Sequence, residues 1–429
     1  MADGPTPVTN ELLDEMSGQG DDVADTVIRR QFEWMKAQAE GLPTDQPSDL
    51  VRHMATHMRL PQGPVVSPYD EYLARDDAQL PAWATGDDAD EFGRRSAEFF
   101  EAHSLHIGSA LFCGSLPAGY ASPRGARVLV LTGRLGDAPV RRIAETAQYL
   151  VDVMAVGGLD RGRPGYEDIQ RVRTMHAAIR HFVLTDPKVP RSRFHPPPPD
   201  GWCDAWGVPI NQEDLLGGLL TFTITVFDVL ERLGVECDPG DIDAYMFQWC
   251  VIGHLMGIRP DILPLDRAAA TAAAELIRAR QCERSRDGQY LTRALVGSVQ
   301  GTMPRRIANS LVPAAVRWYV GDDVADILAV SPNLWTRVLR GPVARLSDVA
   351  SPDERRLARL SAGRGAVAAK AYKRVTKRIG GAALVGFLDA NRPGDDRPPF
   401  EIPTELRQKL PGGPRSFTLR RPRVGSPRR

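Results

Sequence analysis

Apolar residues recur at intervals of three and four almost everywhere along this chain, and no sustained period-two alternation interrupts them. That rhythm restricts the fold more than any other feature, because it suits helices that bury one stripe and denies a sheet its alternating face. It predicts a mostly all-α chain. Helices are expected near 22–39 and 49–60, then at 91–112, 120–133, 138–155, 167–184, 212–233, 240–257 and 266–282, with shorter ones to about 388. Between 186 and 205 the segment "DPKVPRSRFHPPPPDGWCDA" holds four consecutive prolines, which exclude helix and favour a stiff extended connection across the surface. No solenoid-length repeat is visible. The resulting division is a disordered stretch over 1–20, a helical extension over 21–89, one large domain over 90–390, and a Pro/Arg-rich tail over 391–429.

Charge narrows the function. Lys plus Arg and Asp plus Glu number 54 each among 429 residues, so there is no whole-molecule positive field to draw the chain onto nucleic acid or anionic lipid. The five cysteines are widely spaced and never in a C-x-x-C pair, which suggests neither a disulfide scaffold nor a zinc ribbon. The start "MADGPTPVTNELLDEMSGQGDD" lacks the charged head and apolar stretch of an export signal. The most apolar later segment, Leu215 to Phe227, is short for a bilayer and is followed by Asp228. The expectation is a cytoplasmic protein without membrane insertion; its oligomeric state is not legible.

Common catalytic signatures are missing. There is no G-x-S-x-G elbow, no phosphate-binding G-x-x-x-x-G-K-[ST] loop, no Rossmann glycine triplet and no Glu-x-x-His pair. His53 and His57 have metal-compatible spacing but no intervening glutamate, and His103 and His106 could either line a pocket or pack.

Three stretches remain. In "RVRTMHAAIR" (171–180), Val172, Met175, Ile179 and Val183 form an apolar stripe with His176 at its edge, and Arg173 and Arg180 lie one turn to either side. Two adjacent cations and partial burial both favour neutral imidazole, the form that can bind a metal, and a haem would offer iron to the nitrogen and propionates to the guanidiniums. A packing histidine between two arginines that reach to water is the other reading. In "DAPVRRIAETAQYL" (137–150), Asp137 and Pro139 suit a helix start, Val140, Ile143, Ala147, Leu150, Val151 and Met154 form the buried stripe, and Arg142, Glu145 and Thr146 lie off it, as a solvated face would. In "WGVPINQEDLLGGLLTF" (206–222), Asn211 and Gln212 can cap, Glu213 and Asp214 complement the helix dipole, and Gly217 and Gly218 invite close approach by a helix or a flat cofactor.

Together with "TGRL" (132–135), "RRIAET" (141–146), "VRTMHAAIRH" (172–181), "GVPINQEDL" (207–215), "WCVIGHLMGI" (249–258) and "LTRALV" (291–296), these stretches resemble the haem-dependent oxygenase family of latex-clearing (rubber oxygenase) and MpaB enzymes. The resemblance covers about 90 to 330. It implies a single helical domain, the catalytic domain of that family, enclosing a haem b in a cleft between the 138–155 and 167–184 helices. It also implies His176 as the iron ligand, Arg173 and Arg180 as cofactor-binding residues that orient His176 or the propionates, and Arg142 and Thr146 as catalytic residues of the distal side. Dioxygen and an apolar or terpenoid-like small molecule would be the substrates, with oxidative C=C cleavage as the implied reaction. A non-catalytic haem-binding redox or ligand-binding protein is the alternative. Two departures bear on the choice. Glu145 stands where the family's rubber-cleaving member has a lysine before the threonine, and "YASPRGARVLVLTGRL" contains no carboxylate where that member's catalytic glutamate is expected.

Overall fold

In the computed structural model, the three-and-four rhythm resolves into helices throughout residues 7–37, 47–48, 51, 67–74, 80–133, 139–298, 305–334 and 336, which are the residues the structure describes. In chain order they are α1 (Asn10–Ser17), α2 (Asp22–Ala37), α3 (Pro68–Ala74), α4 (Asp87–Ala110), α5 (Leu116–Tyr120), α6 (Pro123–Leu131), α7 (Pro139–Val153), α8 (Pro164–Thr185), α9 (Gln212–Arg232), α10 (Pro239–Leu255), α11 (Arg267–Gln281), α12 (Arg286–Ser298), α13 (Arg305–Val320) and α14 (Asp322–Ile327). A π-helical turn, Leu111–Ser115, joins α4 to α5. Helices α3, α6, α7, α8 and α10 begin on proline, whose fixed φ suits the first turn and whose missing N–H has no partner there anyway. The mostly all-α expectation holds. Among the described residues the strands are β1 (Arg191–Ser192) and β2 (Trp202–Cys203), paired in parallel inside the Pro-rich connection. That connection is not wholly superficial, because Trp202 is fully buried and donates Nε1–H to the Gly207 carbonyl at 3.0 Å.

Helix α9 forms the centre of the larger core. Leu216, Leu220, Val226 and Phe227 are buried there, and α1, α4, α10, α11 and the π-helical turn pack around it. Its start is fixed by a capping box in which the Asn211 side chain and the Asp214 backbone, and the reverse pair, exchange hydrogen bonds. A second apolar cluster joins α2, α3 and α8 through Ile28, Phe32, Tyr69, Ala178 and Val183.

The N-terminal expectations need correction. Residues 10–17 are helical rather than disordered, with Thr9 capping and Leu13 and Met16 fully buried against the main core. Helix α2 is packed as well, along α8 in the second apolar cluster. An eight-residue helix has a weak local signal because nucleation is costly, and burial of its apolar side chains supplies what local sequence lacks. The boundary expected at 390, the helices expected beyond 336, the tail, and His53 and His57 lie outside the described residues.

Candidate functional site

Helices α7 and α8 come together through glycine. A Cβ at Gly165 would collide with the backbone carbonyls of Asp152 and Gly158, and one at Gly158 with those of Asp152 and Ala155. Only a chain without side chains at these points lets the end of α7 lie against the start of α8. From that junction the two helices form neighbouring walls of a cavity of about 890 Å³.

The cavity-facing side of α8 carries Val172, Met175, His176 and Ile179. Part of the apolar stripe seen in the sequence therefore faces open space, with the imidazole among it. Arg173 and Arg180 leave that face. Arg173 donates from Nη2 to Asp21 Oδ1 at 2.8 Å, and Arg180 donates from Nε to Asp25 Oδ1 at 2.7 Å and from Nη1 to the Ile210 carbonyl at 2.8 Å. Neither is among the residues that line the cavity. The anions facing these guanidiniums are carboxylates of the α1–α2 segment, not groups inside the cleft. Burial explains this, since Arg180 is only 2% exposed and a cation so enclosed needs its counter-charge within reach. The segment is held close by Gln212, whose Nε2 donates to the Gly20 and Gly257 carbonyls at 2.7 and 2.9 Å. Gly257 sits at φ +90°, and a Cβ there would strike the Asp21 carboxylate.

From α7, Glu145 and Thr146 line the same cavity, so the residues read from the sequence as a solvated face border an enclosed space. The structure brings Thr146 and His176 to one cavity from two helices. The Arg142 side chain and Asp137 lie outside the described residues. Leu150, Val151 and Met154 are buried, as the stripe on this helix predicts.

The paired glycines of α9 both line the cavity and differ in what stands beside them. Gly217 faces another helix, with Ile277 Cγ2 3.3 Å from where its Cβ would stand. Gly218 faces the cavity, and a Cβ there would meet nothing within 4 Å, as would one at Gly108 or Gly119 on the same lining. His103 and His106 pack instead; neither is on the lining, and burial lowers the pKa of His106. No group of three or more metal-ligating side chains occurs among the described residues.

The donor set fits a haem. One imidazole stands on a wall built mostly of apolar side chains, and three glycines leave space that any larger residue would occupy. Among the described residues the arginines that border this space are Arg171, Arg232 and Arg278. Arg171 is already held by Asp168 and Glu167 at 2.6 and 3.0 Å.

Sequence reasoning missed the acidic corner where α7 meets α8. Asp152 and Asp168 both line the cavity, with Gln148 donating Nε2–H to Asp152 Oδ2 at 2.7 Å. Burial pushes Asp152 up to about 8, opposed by the Gln148 hydrogen bond and assisted by the neighbouring Asp168 carboxylate. Burial also raises Asp168, against the pull of Arg171. The available signal was the seven-residue step from Glu145 to Asp152, which puts both carboxylates on one side of α7.

Residues 103–351 match the family model described as "ER-bound oxygenase mpaB/B'/Rubber oxygenase, catalytic domain". The chain belongs to this oxygenase family. It is similar to the rubber oxygenase of Streptomyces sp. (strain K30), 26% identical over 260 residues, which span 59% of this chain and 58% of that protein. The match thus covers less than two thirds of that oxygenase. A solved structure of latex clearing protein LCP in the closed state has the same fold, with a TM-score of 0.56 at 22% identity over 77% of this chain and 83% of that one. The oxygenase-family region begins at 103, so the α1–α2 segment that neutralises Arg173 and Arg180 lies ahead of it.

Proposed function

We propose that this oxygenase-family chain binds a haem b in the cavity between α7 and α8, and that it oxidises an apolar or terpenoid-like small molecule with dioxygen, the reaction class being cleavage of a C=C bond. The observation that carries this reading is the placement of His176 and Thr146 on adjoining walls of one largely apolar cavity. His176 would hold the iron, and Arg173 and Arg180 would act on it from behind, by fixing α8 against Asp21 and Asp25. A bound haem supplies the redox chemistry with dioxygen. Thr146 would present a hydroxyl to the cavity from α7, and Arg142, one turn earlier, would join it. The apolar lining excludes water and favours a hydrophobic substrate. No helix among the described residues is long and apolar enough to cross a membrane, and we place the protein in the cytoplasm.

The test is the absorption spectrum of the purified protein with and without added hemin. A Soret band is expected for the wild type, and its loss for a folded His176→Ala variant. A folded wild type that stays colourless with hemin would end the proposal. The second reading, a haem-binding protein without turnover, is favoured by the lack of a carboxylate over "YASPRGARVLVLTGRL". Dioxygen uptake with unsaturated terpenoid substrates separates the two.

A further inference from the structure

The carboxyl groups of Asp152 and Asp168 are within hydrogen-bonding reach of one another at the α7–α8 junction, and both lie on the cavity lining. Their partners are unequal. Asp168 receives the Arg171 guanidinium at 2.6 Å, whereas Asp152, only 6% exposed, receives the uncharged Gln148 amide at 2.7 Å. Arg171 is shared further with the exposed Glu167. Tyr149, a neutral phenol whose pKa burial raises, completes the corner from α7. Helices α4 and α10 contribute uncharged neighbours, Ser96 on Met154 Sδ and Gln248 on the Val153 carbonyl. Among the described residues one guanidinium therefore faces the two touching carboxyls, and removal from water opposes a second negative charge so close to the first.

We propose that Asp152 and Asp168 share a single proton and form the proton-transfer site of this cavity, serving an oxygen-bearing apolar ligand such as an unsaturated alcohol or ketone. This rests on reading the cavity as the reaction site. In the step, the O–H bond of the Asp152 carboxyl breaks and its electron pair remains as carboxylate charge. A lone pair on the ligand oxygen forms the new O–H bond. Asp168 stays ionised on Arg171 throughout, and the reverse transfer restores the acid. The placement also gives the chain a carboxyl acid–base group on different helices from the segment ahead of "TGRL", which contains none.

Infrared spectroscopy of the full-length protein tests the shared proton without needing any oxidation. Wild-type protein at neutral pH should show a protonated-carboxyl band that disappears with a midpoint near 8 and is missing from Asp152→Asn. Asp168→Asn should lower that midpoint by about one pH unit or more, because it removes the adjacent negative charge. Asp228→Asn, at a half-buried carboxyl elsewhere on the lining, should leave the band in place. No acid band at neutral pH, or a band unchanged in Asp152→Asn, overturns the proposal. With haem bound and an unsaturated terpenoid alcohol as probe, Asp152→Asn should lower kcat about a hundredfold with little change in KM. An unchanged kcat would mean that the pair only joins two helices, which also overturns the proposal. Should hemin fail to bind at all, the infrared result still decides whether the proton is shared, so failure of the haem reading is distinguishable from failure of this one.

Discussion

Arg180 is a cation nearly sealed from solvent, and its guanidinium donates to Asp25 and to the Ile210 carbonyl. Replacing it with alanine leaves the Asp25 carboxyl, itself raised by burial, facing an apolar hole. Arg180→Ala should cost roughly 3–5 kcal/mol in urea unfolding. Adding Asp25→Asn should recover part of that loss, and a double-mutant cycle measures how much is coupling. The sequence made His176 legible, because an imidazole between arginines at helical spacing is unusual on an apolar stripe. It did not make the arginines' partners legible. Asp21 and Asp25 lie about 150 residues upstream, and only tertiary folding brings them to α8. Asp152 was hidden for a related reason, since its carboxyl partner is on another helix.

At the scale of the helix, the two glycines of α9 make opposite predictions. Gly218→Ala adds a methyl where nothing stands within 4 Å and should stabilise the helix by up to about 1 kcal/mol, seen as a higher Tm. Gly217→Ala must displace Ile277 and should gain less or lose stability. Asn211→Ala removes the side-chain half of the α9 cap, the acceptor for the Asp214 N–H, while its backbone N–H still donates to Asp214 Oδ2, and should cost about 1 kcal/mol in the same melts. Helix limits were readable because their chemistry is local: proline starts α8 and α10, and an Asn–Asp box starts α9. What α7 faces was not readable. Glu145 and Thr146 lie off the buried stripe in either case, and a wheel cannot tell bulk water from a cavity.

Across the whole molecule, Asp152 couples stability to pH. Its ordinary value is 3.8 and its value in the fold is about 8. Between these limits the folded chain binds a proton that the unfolded chain has lost, so the contribution is complete below about pH 4 and disappears as pH rises through about 8. Urea midpoints measured over this window should fall with rising pH, and Asp152→Asn should flatten the fall. An unaltered slope would assign the effect to other groups. The helical class was legible from one rhythm repeated along the chain, whereas the cavity arises only when several helices enclose it.

The short acidic lead-in has a practical consequence for anyone who trims this chain to its recognisable enzyme portion. Asp14, Glu15, Asp21 and Asp25 neutralise Arg280, Arg259, Arg173 and Arg180 in turn, and a fragment starting at 103 would discard every one of those carboxylates while keeping all four cations. Arg259 and Arg280 would keep Asp261 and Glu213, but Arg173 and Arg180 would be left as two like charges along the back of the His176 helix, and poor solubility of such a fragment would reflect the cut.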